Sequence, residues 1–121
     1  CPLFVPLVES GFVGRGCEIT RLTCEHYLHA FRDRKIDTLI LGCTHYPIIA
    51  DVISDVLPGV TLISSGAAAA EKLARDIGDS GESGNVSYYV SDDPGLFCSS
   101  ASIFVGSDIS GRVTRIDIEK V

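Results

Sequence analysis

Short apolar segments alternate with longer segments of mixed polarity along the chain. The short segments have the length and composition of β-strands and lie at 3–8, 36–41, 60–63, 86–90 and 113–118. The longer segments have the length or the apolar spacing of helices and lie at 18–34, 48–57, 67–77 and 94–105. The resulting order, β-α-β-α-β-α-β-α-β, predicts an α/β fold with a parallel-type sheet flanked by helices.

The apolar pattern also predicts which surfaces are buried. Segment 36–41 is mostly apolar, which is typical of a strand that a parallel sheet buries on both faces. In the helix 67–77, the side chains of Leu73, Ala74 and Ile77 fall on one side, which we expect to be buried. The polar segment 79–85 is expected to be a flexible loop.

Composition narrows the class of protein. The 121 residues are 45% apolar and 21% charged, which is typical of one soluble globular domain. A net charge of −6 and the lack of a basic stripe argue against a nucleic-acid partner. No apolar run reaches the roughly 18–20 residues of a membrane span, so we expect no membrane partner. There is no basic segment of the kind that begins a signal peptide.

Cysteine usage indicates the compartment. The chain has five cysteines, an odd number, and none of them form a CxxC pair. This favours free thiols in a reducing compartment over a disulfide framework, and therefore a cytoplasmic protein. The chain contains no Met, even at position 1, which leads us to expect that it begins inside a longer reading frame.

Polar side chains follow two of the predicted strands. Strand 36–41 is followed by Gly42, Cys43, Thr44 and His45, and strand 3–8 is followed by Glu9. Ligands of parallel α/β sheets bind at the carboxyl ends of the strands. If the two strands are neighbours, Glu9 projects into the same crevice as the segment 42–45.

Each of these residue types suits a role in such a crevice. Gly42 lets a ligand approach the backbone, and Thr44 offers a hydroxyl and an N–H group. Cys43 stands beside an imidazole and before a predicted helix that begins near Pro47, a setting that favours the thiolate. His45 can carry the thiol proton. Glu9 can bind an ammonium group or orient the imidazole of His45.

Other polar clusters have simpler explanations. On a helix, His26 and His29 lie about 120–180° from the face that carries Cys17 and Cys24, so these four cannot form one zinc site and we expect no metal. We expect the cysteines to pack in the core and the histidines to be exposed. Ser64-Ser65-Gly66 and Asp92-Asp93-Pro94 are expected to begin helices. Tyr46 either shapes the crevice or packs.

Two stretches resemble a known family. CPLFVPLVE at residues 1–9 and LGCTHYP at residues 41–47 are similar, in sequence and spacing, to glutamate racemases of the aspartate/glutamate racemase superfamily. The stretch from VTLISSG to the final strand is similar to the carboxyl-terminal portion of these enzymes. The resemblance implies a two-lobed, pseudo-symmetric racemase fold. It also implies a reaction that uses no cofactor.

The resemblance also implies roles for residues. The family interconverts L- and D-glutamate, for peptidoglycan synthesis, with two cysteines that act on opposite faces of the α-carbon. Cys43 matches the cysteine of the second lobe, and His45 and Glu9 match the polar residues that assist it. Thr44 matches a position that contacts substrate, next to Gly42. The full-length enzyme is a possible homodimer.

One part of the family's pattern is missing. The first-lobe cysteine, in a Cys-Asn-Thr context, would precede position 1. We therefore expect a carboxyl-terminal fragment in which residues 1–63 form part of the second lobe. Residues 64–121 are expected to return to the first lobe, most of which is absent. Such a fragment is expected to be inactive alone and prone to associate.

Two alternatives stay open from the sequence. The chain could come from a racemase of aspartate or another acidic amino acid in the same superfamily. It could also be a non-catalytic α/β binding module that keeps the crevice without the chemistry.

Overall fold

The chain folds into two compact units, Cys1–Asp79 and Ser80–Val121. The computed structural model describes residues 1–78 and 84–120 of them. Among these residues, no helix is long and apolar enough to cross a membrane. Most of the predicted loop 79–85 lies outside the described residues.

The first unit contains helices and a parallel strand pair. Its elements are α1 (Phe4–Glu9), α2 (Glu18–Arg32), β1 (Thr38–Leu41), a 3₁₀ helix (Tyr46–Ile49), α3 (Ala50–Val56), β2 (Thr61–Ser64) and α4 (Ser65–Ile77). Except for the first element, these confirm the predicted strands and helices with shifted ends. The 3₁₀ helix runs directly into α3, with Pro47 in its first turn, where the missing N–H of proline does no harm.

Segment 3–8 is not a strand, so that prediction is wrong: residues 4–9 form the helix α1. Phe4 and Val8 lie one turn apart and are both fully buried, which gives the helix an inward face. Pro6 stands in the first turn, where an intrahelical N–H donor is not required. A short apolar run cannot by itself distinguish a strand from a buried helix, and here packing decides.

The core of the first unit lies on one side of the β1–β2 pair. Helices α1, α2 and α3 contribute its buried side chains, including Cys24 and Leu28 of α2, and Leu41 of β1 contacts the same cluster. Thr20 is the one buried polar residue among those described, and its hydroxyl donates to the carbonyl of Phe12 at 2.6 Å.

The opposite face of the strand pair is exposed, contrary to the expectation that segment 36–41 is buried on both faces. Ile40 and Ile63 are register partners in the parallel pair, and they are 66% and 40% exposed. Leu73 and Ile77 of α4 are 57% and 73% exposed, and Ala74 is exposed as well, so the predicted buried side of that helix is also wrong. Both surfaces are apolar and lack a covering layer within the described part of the chain.

The second unit contains another parallel pair. It consists of β3 (Tyr88–Val90), α5 (Pro94–Val105), a 3₁₀ turn (Ser110–Arg112) and β4 (Val113–Arg115), with Tyr88 in register with Val113. The predicted start of α5 is confirmed, because Oδ1 of Asp93 accepts from the N–H groups of Gly95 at 2.6 Å and Leu96 at 3.1 Å.

Candidate active site

The segment 42–45 lies at the carboxyl edge of the β1–β2 pair, as expected. Leu41 at the end of β1 is in register with Ser64 at the end of β2, so the two strands end at the same level. Ser65, the first residue of α4, donates from its hydroxyl to the carbonyl of Leu41 at 3.5 Å. The residues after β1 therefore lie beside the start of α4.

His45 is placed between a carboxylate and a hydroxyl. Its Nε2 lies 3.1 Å from Oε1 of Glu9, and its Nδ1 lies 3.0 Å from Oγ1 of Thr44. The side chain of His45 is only 19% exposed, whereas that of Glu9 is 53% exposed. The structure thus brings Glu9, Thr44 and His45 together in one hydrogen-bonded row.

Glu9 reaches this row from a different element than expected. It is the last residue of helix α1, and not a residue at the end of a strand. Ring packing fixes α1 next to the segment that follows His45, because Phe4 meets Tyr46 edge to face at a centroid distance of 5.2 Å. The hydroxyl of Tyr46 also donates to the carbonyl of Cys1 at 3.4 Å. Of the two roles left open for Tyr46, the structure shows packing.

Cys43 and Gly42 complete the segment. The side chain of Cys43 is partly buried, and it lies one residue before Thr44 and two before His45. A Cβ at Gly42 would meet no atom within 4 Å, so this position borders open space. The segment after β1 therefore carries a thiol, a hydroxyl and an imidazole in three consecutive positions, and the imidazole is hydrogen-bonded to the hydroxyl of Thr44 and to the carboxylate of Glu9.

The row can hold and move protons. A carboxylate at neutral pH only accepts hydrogen bonds, so the bond to Glu9 requires a hydrogen on Nε2 of His45. A positioned imidazole that shares its two nitrogens with a carboxylate and a hydroxyl can relay a proton to or from a nearby thiol or ligand.

The other cysteines and histidines lie in different settings. Cys24 is fully buried, and this burial raises the pKa of its thiol to about 11. Cys17 precedes α2 and forms a 3.3 Å hydrogen bond with Thr20. His26 and His29 are exposed, and the described residues contain no group of three or more His, Cys, Asp or Glu side chains that could hold a metal ion.

The predicted capping role of Ser64 is confirmed. Its hydroxyl oxygen accepts from the N–H of Ala67 at 3.2 Å and begins α4. Two contacts near the site were not predicted: the bond of Ser65 to Leu41 and the bond of Thr44 to His45. The bond between Thr44 and His45 could have been predicted, because the hydroxyl and the imidazole belong to adjacent residues in the sequence.

Comparison with known proteins gives consistent matches. No protein-family model matches the sequence. The glutamate racemase of Persephonella marina is 39% identical over 121 residues, which are 100% of this chain and 45% of the relative. That of Aquifex pyrophilus is 45% identical over 96 residues, covering 79% of this chain and 37% of the relative. The chain thus spans about half, or less, of the length of the curated relatives it matches.

Solved structures match in the same way. Glutamate racemase from Thermus thermophilus, in complex with β-chloro-D-alanine, superposes with a TM-score of 0.80 at 33% identity. The match covers 100% of this chain and 47% of the Thermus thermophilus chain. Glutamate racemase from Francisella tularensis, in complex with D-glutamate, gives a TM-score of 0.75 at 30% identity. The match covers 98% of this chain and 46% of the Francisella tularensis chain.

Proposed function

We propose that this chain, which belongs to the glutamate racemase family, carries one side of an active site that interconverts L- and D-glutamate. The observation that carries the proposal is the Glu9–His45–Thr44 row beside Cys43, at the carboxyl edge of a parallel strand pair. In this proposal, Cys43 is the acid/base thiol, and Glu9, His45 and Thr44 are the groups that support it. The relative from Francisella tularensis was solved with D-glutamate, which favours this substrate.

In a two-base racemisation, one proton-transfer group acts on each face of the α-carbon. In the proposed reaction, the Cys43 thiolate takes the α-proton: the C–H bond breaks, an S–H bond forms, and the electron pair stays on the substrate. A second acid then donates a proton to the opposite face, which regenerates the α C–H bond with inverted configuration. In the reverse direction, the Cys43 thiol is the donor.

The neighbouring residues support this transfer. His45 assists Cys43 by holding or releasing a proton, and Glu9 stabilises His45 through the bond to Nε2. Thr44 and Gly42 contribute a hydroxyl and an open backbone position to substrate binding. The proposed reaction uses no cofactor and no metal.

The second acid would come from residues that the relatives have outside the matched region. In this proposal, residues 1–63 are part of one lobe and residues 64–121 return to the other lobe, which supplies a second thiol. The complete enzyme, a possible homodimer, would act in the cytoplasm, with no nucleic-acid or membrane partner, and supply D-glutamate for peptidoglycan. The 121-residue chain alone would be inactive.

Activity assays test the proposal. The complete protein encoded by the reading frame that contains this chain is assayed with L- and D-glutamate and with L- and D-aspartate. Racemisation of glutamate supports the proposal, and a preference for aspartate supports the other superfamily activity. A folded protein that binds glutamate but racemises neither acid would indicate the non-catalytic module.

Two cysteine substitutions, one at Cys43 and one at a control position, test the role of Cys43. Cys43→Ser is expected to lower kcat by roughly 10²- to 10⁴-fold, most severely in the direction in which Cys43 takes the proton. The matched control is Cys17→Ser, which changes a partly buried thiol at the start of α2 and should leave kcat within about twofold, as is usual away from a site. Unchanged turnover of folded Cys43→Ser in both directions would refute the assignment.

A further inference from the structure

We infer that Thr44 is a positioning residue that acts through His45: together with Glu9 it holds the neutral ring as the Nε2–H tautomer. We also infer that the Thr44 hydroxyl reverses its hydrogen bond when the ring becomes protonated. The catalytic consequence of this inference rests on the proposed function, but the hydrogen-bond directions do not.

The first step is the assignment of the proton on Nε2. Oε1 of Glu9 lies 3.1 Å from Nε2, and an ionised carboxylate has no proton to donate. The hydrogen must therefore belong to the ring. In the neutral imidazole only one nitrogen carries hydrogen, so Nδ1 of His45 is left with a lone pair.

The second step is the direction of the bond to Thr44. Oγ1 of Thr44 lies 3.0 Å from Nδ1, and an Nδ1 without hydrogen can only accept. The hydroxyl of Thr44 therefore donates to the ring. Two hydrogen bonds at opposite sides of the ring fix its rotation about the Cβ–Cγ bond more firmly than either bond alone.

The third step concerns the protonated ring. When Nδ1 gains a proton it becomes a donor, and Oγ1 of Thr44 then accepts that hydrogen bond. The proton of the hydroxyl becomes available for another acceptor. Thr44 thus presents oxygen lone pairs to a ligand while His45 is neutral, and an O–H donor once His45 is protonated. An O–H donor suits a carboxylate, such as that of an acidic amino acid.

A second histidine provides an internal reference. Nδ1 of His29 lies 2.7 Å from the carbonyl oxygen of His26, which can only accept. Neutral His29 must therefore carry its hydrogen on Nδ1, the opposite tautomer to that inferred for His45. The chain contains only three histidines, so their signals can be assigned by substitution.

Nitrogen NMR spectroscopy of the ¹⁵N-labelled 121-residue chain, above the pH at which the rings are protonated, tests the inference. Long-range ¹H–¹⁵N correlations are expected to show the Nε2–H form for His45 and the Nδ1–H form for His29. In Thr44→Val, which keeps the shape and removes the hydroxyl, the Nδ1 resonance of His45 should move towards that of an unbonded nitrogen. Thr44→Ser should restore it.

The outcomes separate clearly. An Nδ1–H form of His45 in the unsubstituted chain, or an unchanged Nδ1 resonance in Thr44→Val, overturns the inference. Unchanged signals of His26 and His29 show that a variant is folded, and Thr44→Ala replaces Thr44→Val if the latter does not fold.

The catalytic consequence is measured separately in the complete protein. Thr44→Val should lower kcat by up to about tenfold, the equivalent of one hydrogen bond, with Thr44→Ser restoring most of the loss. KM is expected to rise as well, because the Thr44 hydroxyl also contributes to substrate binding; a rise in KM with an unchanged kcat would overturn the positioning role. If the tautomers are as inferred but glutamate is not racemised, the proposed function fails and the hydrogen-bond assignment stands.

Discussion

The Nε2 atom of His45 lies 3.1 Å from Oε1 of Glu9, although the two residues are 36 positions apart in the chain. The contact joins the end of helix α1 to the segment that follows β1. His45 is largely shielded, whereas the carboxylate of Glu9 is half exposed. The carboxylate therefore caps the water-facing side of a shielded imidazole, and any positive charge that His45 acquires is stabilised from that side.

Neutralising this carboxylate should impair the site without unfolding it. Glu9→Gln keeps the size of the side chain and an acceptor oxygen, but it removes the negative charge that stabilises protonated His45. Hydrogen bonds to charged groups contribute about 1.5–3 kcal/mol, so kcat of the complete protein is expected to fall roughly 10- to 100-fold. Steady-state racemisation of L- and D-glutamate measures this change.

Glu25→Gln is the matched control for this prediction. Glu25 is bonded to Arg21 at 2.7 Å on α2, and the same chemical change there removes a partly exposed ion pair of small energetic value. Its kcat should stay within about twofold of the unsubstituted protein. Equal activity of Glu9→Gln and Glu25→Gln would show that the carboxylate of Glu9 does not assist His45.

The sequence predicted that Glu9 lies near His45, but it predicted the wrong secondary structure for the segment that carries Glu9. Glu9 was expected at the end of a strand, because the run at residues 3–8 is apolar throughout and shows no decisive period. The burial of Phe4 and Val8 makes this run a helix, a result of tertiary packing that local sequence does not encode. The position of residues 42–45 at the carboxyl end of β1 could be predicted, because it depends only on where one well-defined strand ends.

Burial was the least predictable property. An apolar strand such as β1 has two faces, and the sequence cannot say whether both are covered. Ile40 is two-thirds exposed, and no element among the described residues covers it. By contrast, the start of α5 was predicted correctly, since Asp93 and Pro94 act within a few residues of each other.

The buried thiol of Cys24 should make stability depend on alkaline pH. Its pKa is raised to about 11 by burial, from an ordinary value of 9.0. Below about pH 9 the thiol is protonated in both the folded and the unfolded chain, and its contribution to stability is fully present. Between about pH 9 and 11 the unfolded chain loses this proton more readily, so the free energy of unfolding should fall by roughly 2 kcal/mol.

Urea unfolding of the reduced chain at several pH values between 8 and 11 measures this effect. Cys24→Ala should remove the Cys24 part of the pH dependence, besides lowering stability at all pH values through a small cavity. Val56→Ala, in the same buried cluster, is the control: it makes a cavity without removing a titrating group, so its pH dependence should match the unsubstituted chain. Identical pH slopes for all three proteins would contradict the prediction.

The exposed face of the β1–β2 pair should cause the isolated chain to associate. Ile40 and Ile63 lie side by side on this face, and contiguous exposed apolar surface of this kind promotes contacts between molecules. Ile40→Lys places a charge at the centre of the face. Because the Ile40 side chain is 66% exposed, the substitution should cost little folding stability while shifting the association equilibrium towards monomer.

Sedimentation velocity over a range of concentrations measures this shift, and Ser54→Lys is its control. Ser54 is exposed on α3, so this variant has the same net charge as Ile40→Lys while its added charge lies on a different element. If association uses the strand face, Ile40→Lys should sediment as monomer at concentrations at which Ser54→Lys and the unsubstituted chain still associate. Equal sedimentation of both lysine variants would attribute any change to net charge, since electrostatic repulsion between whole molecules does not depend on which face carries the added charge.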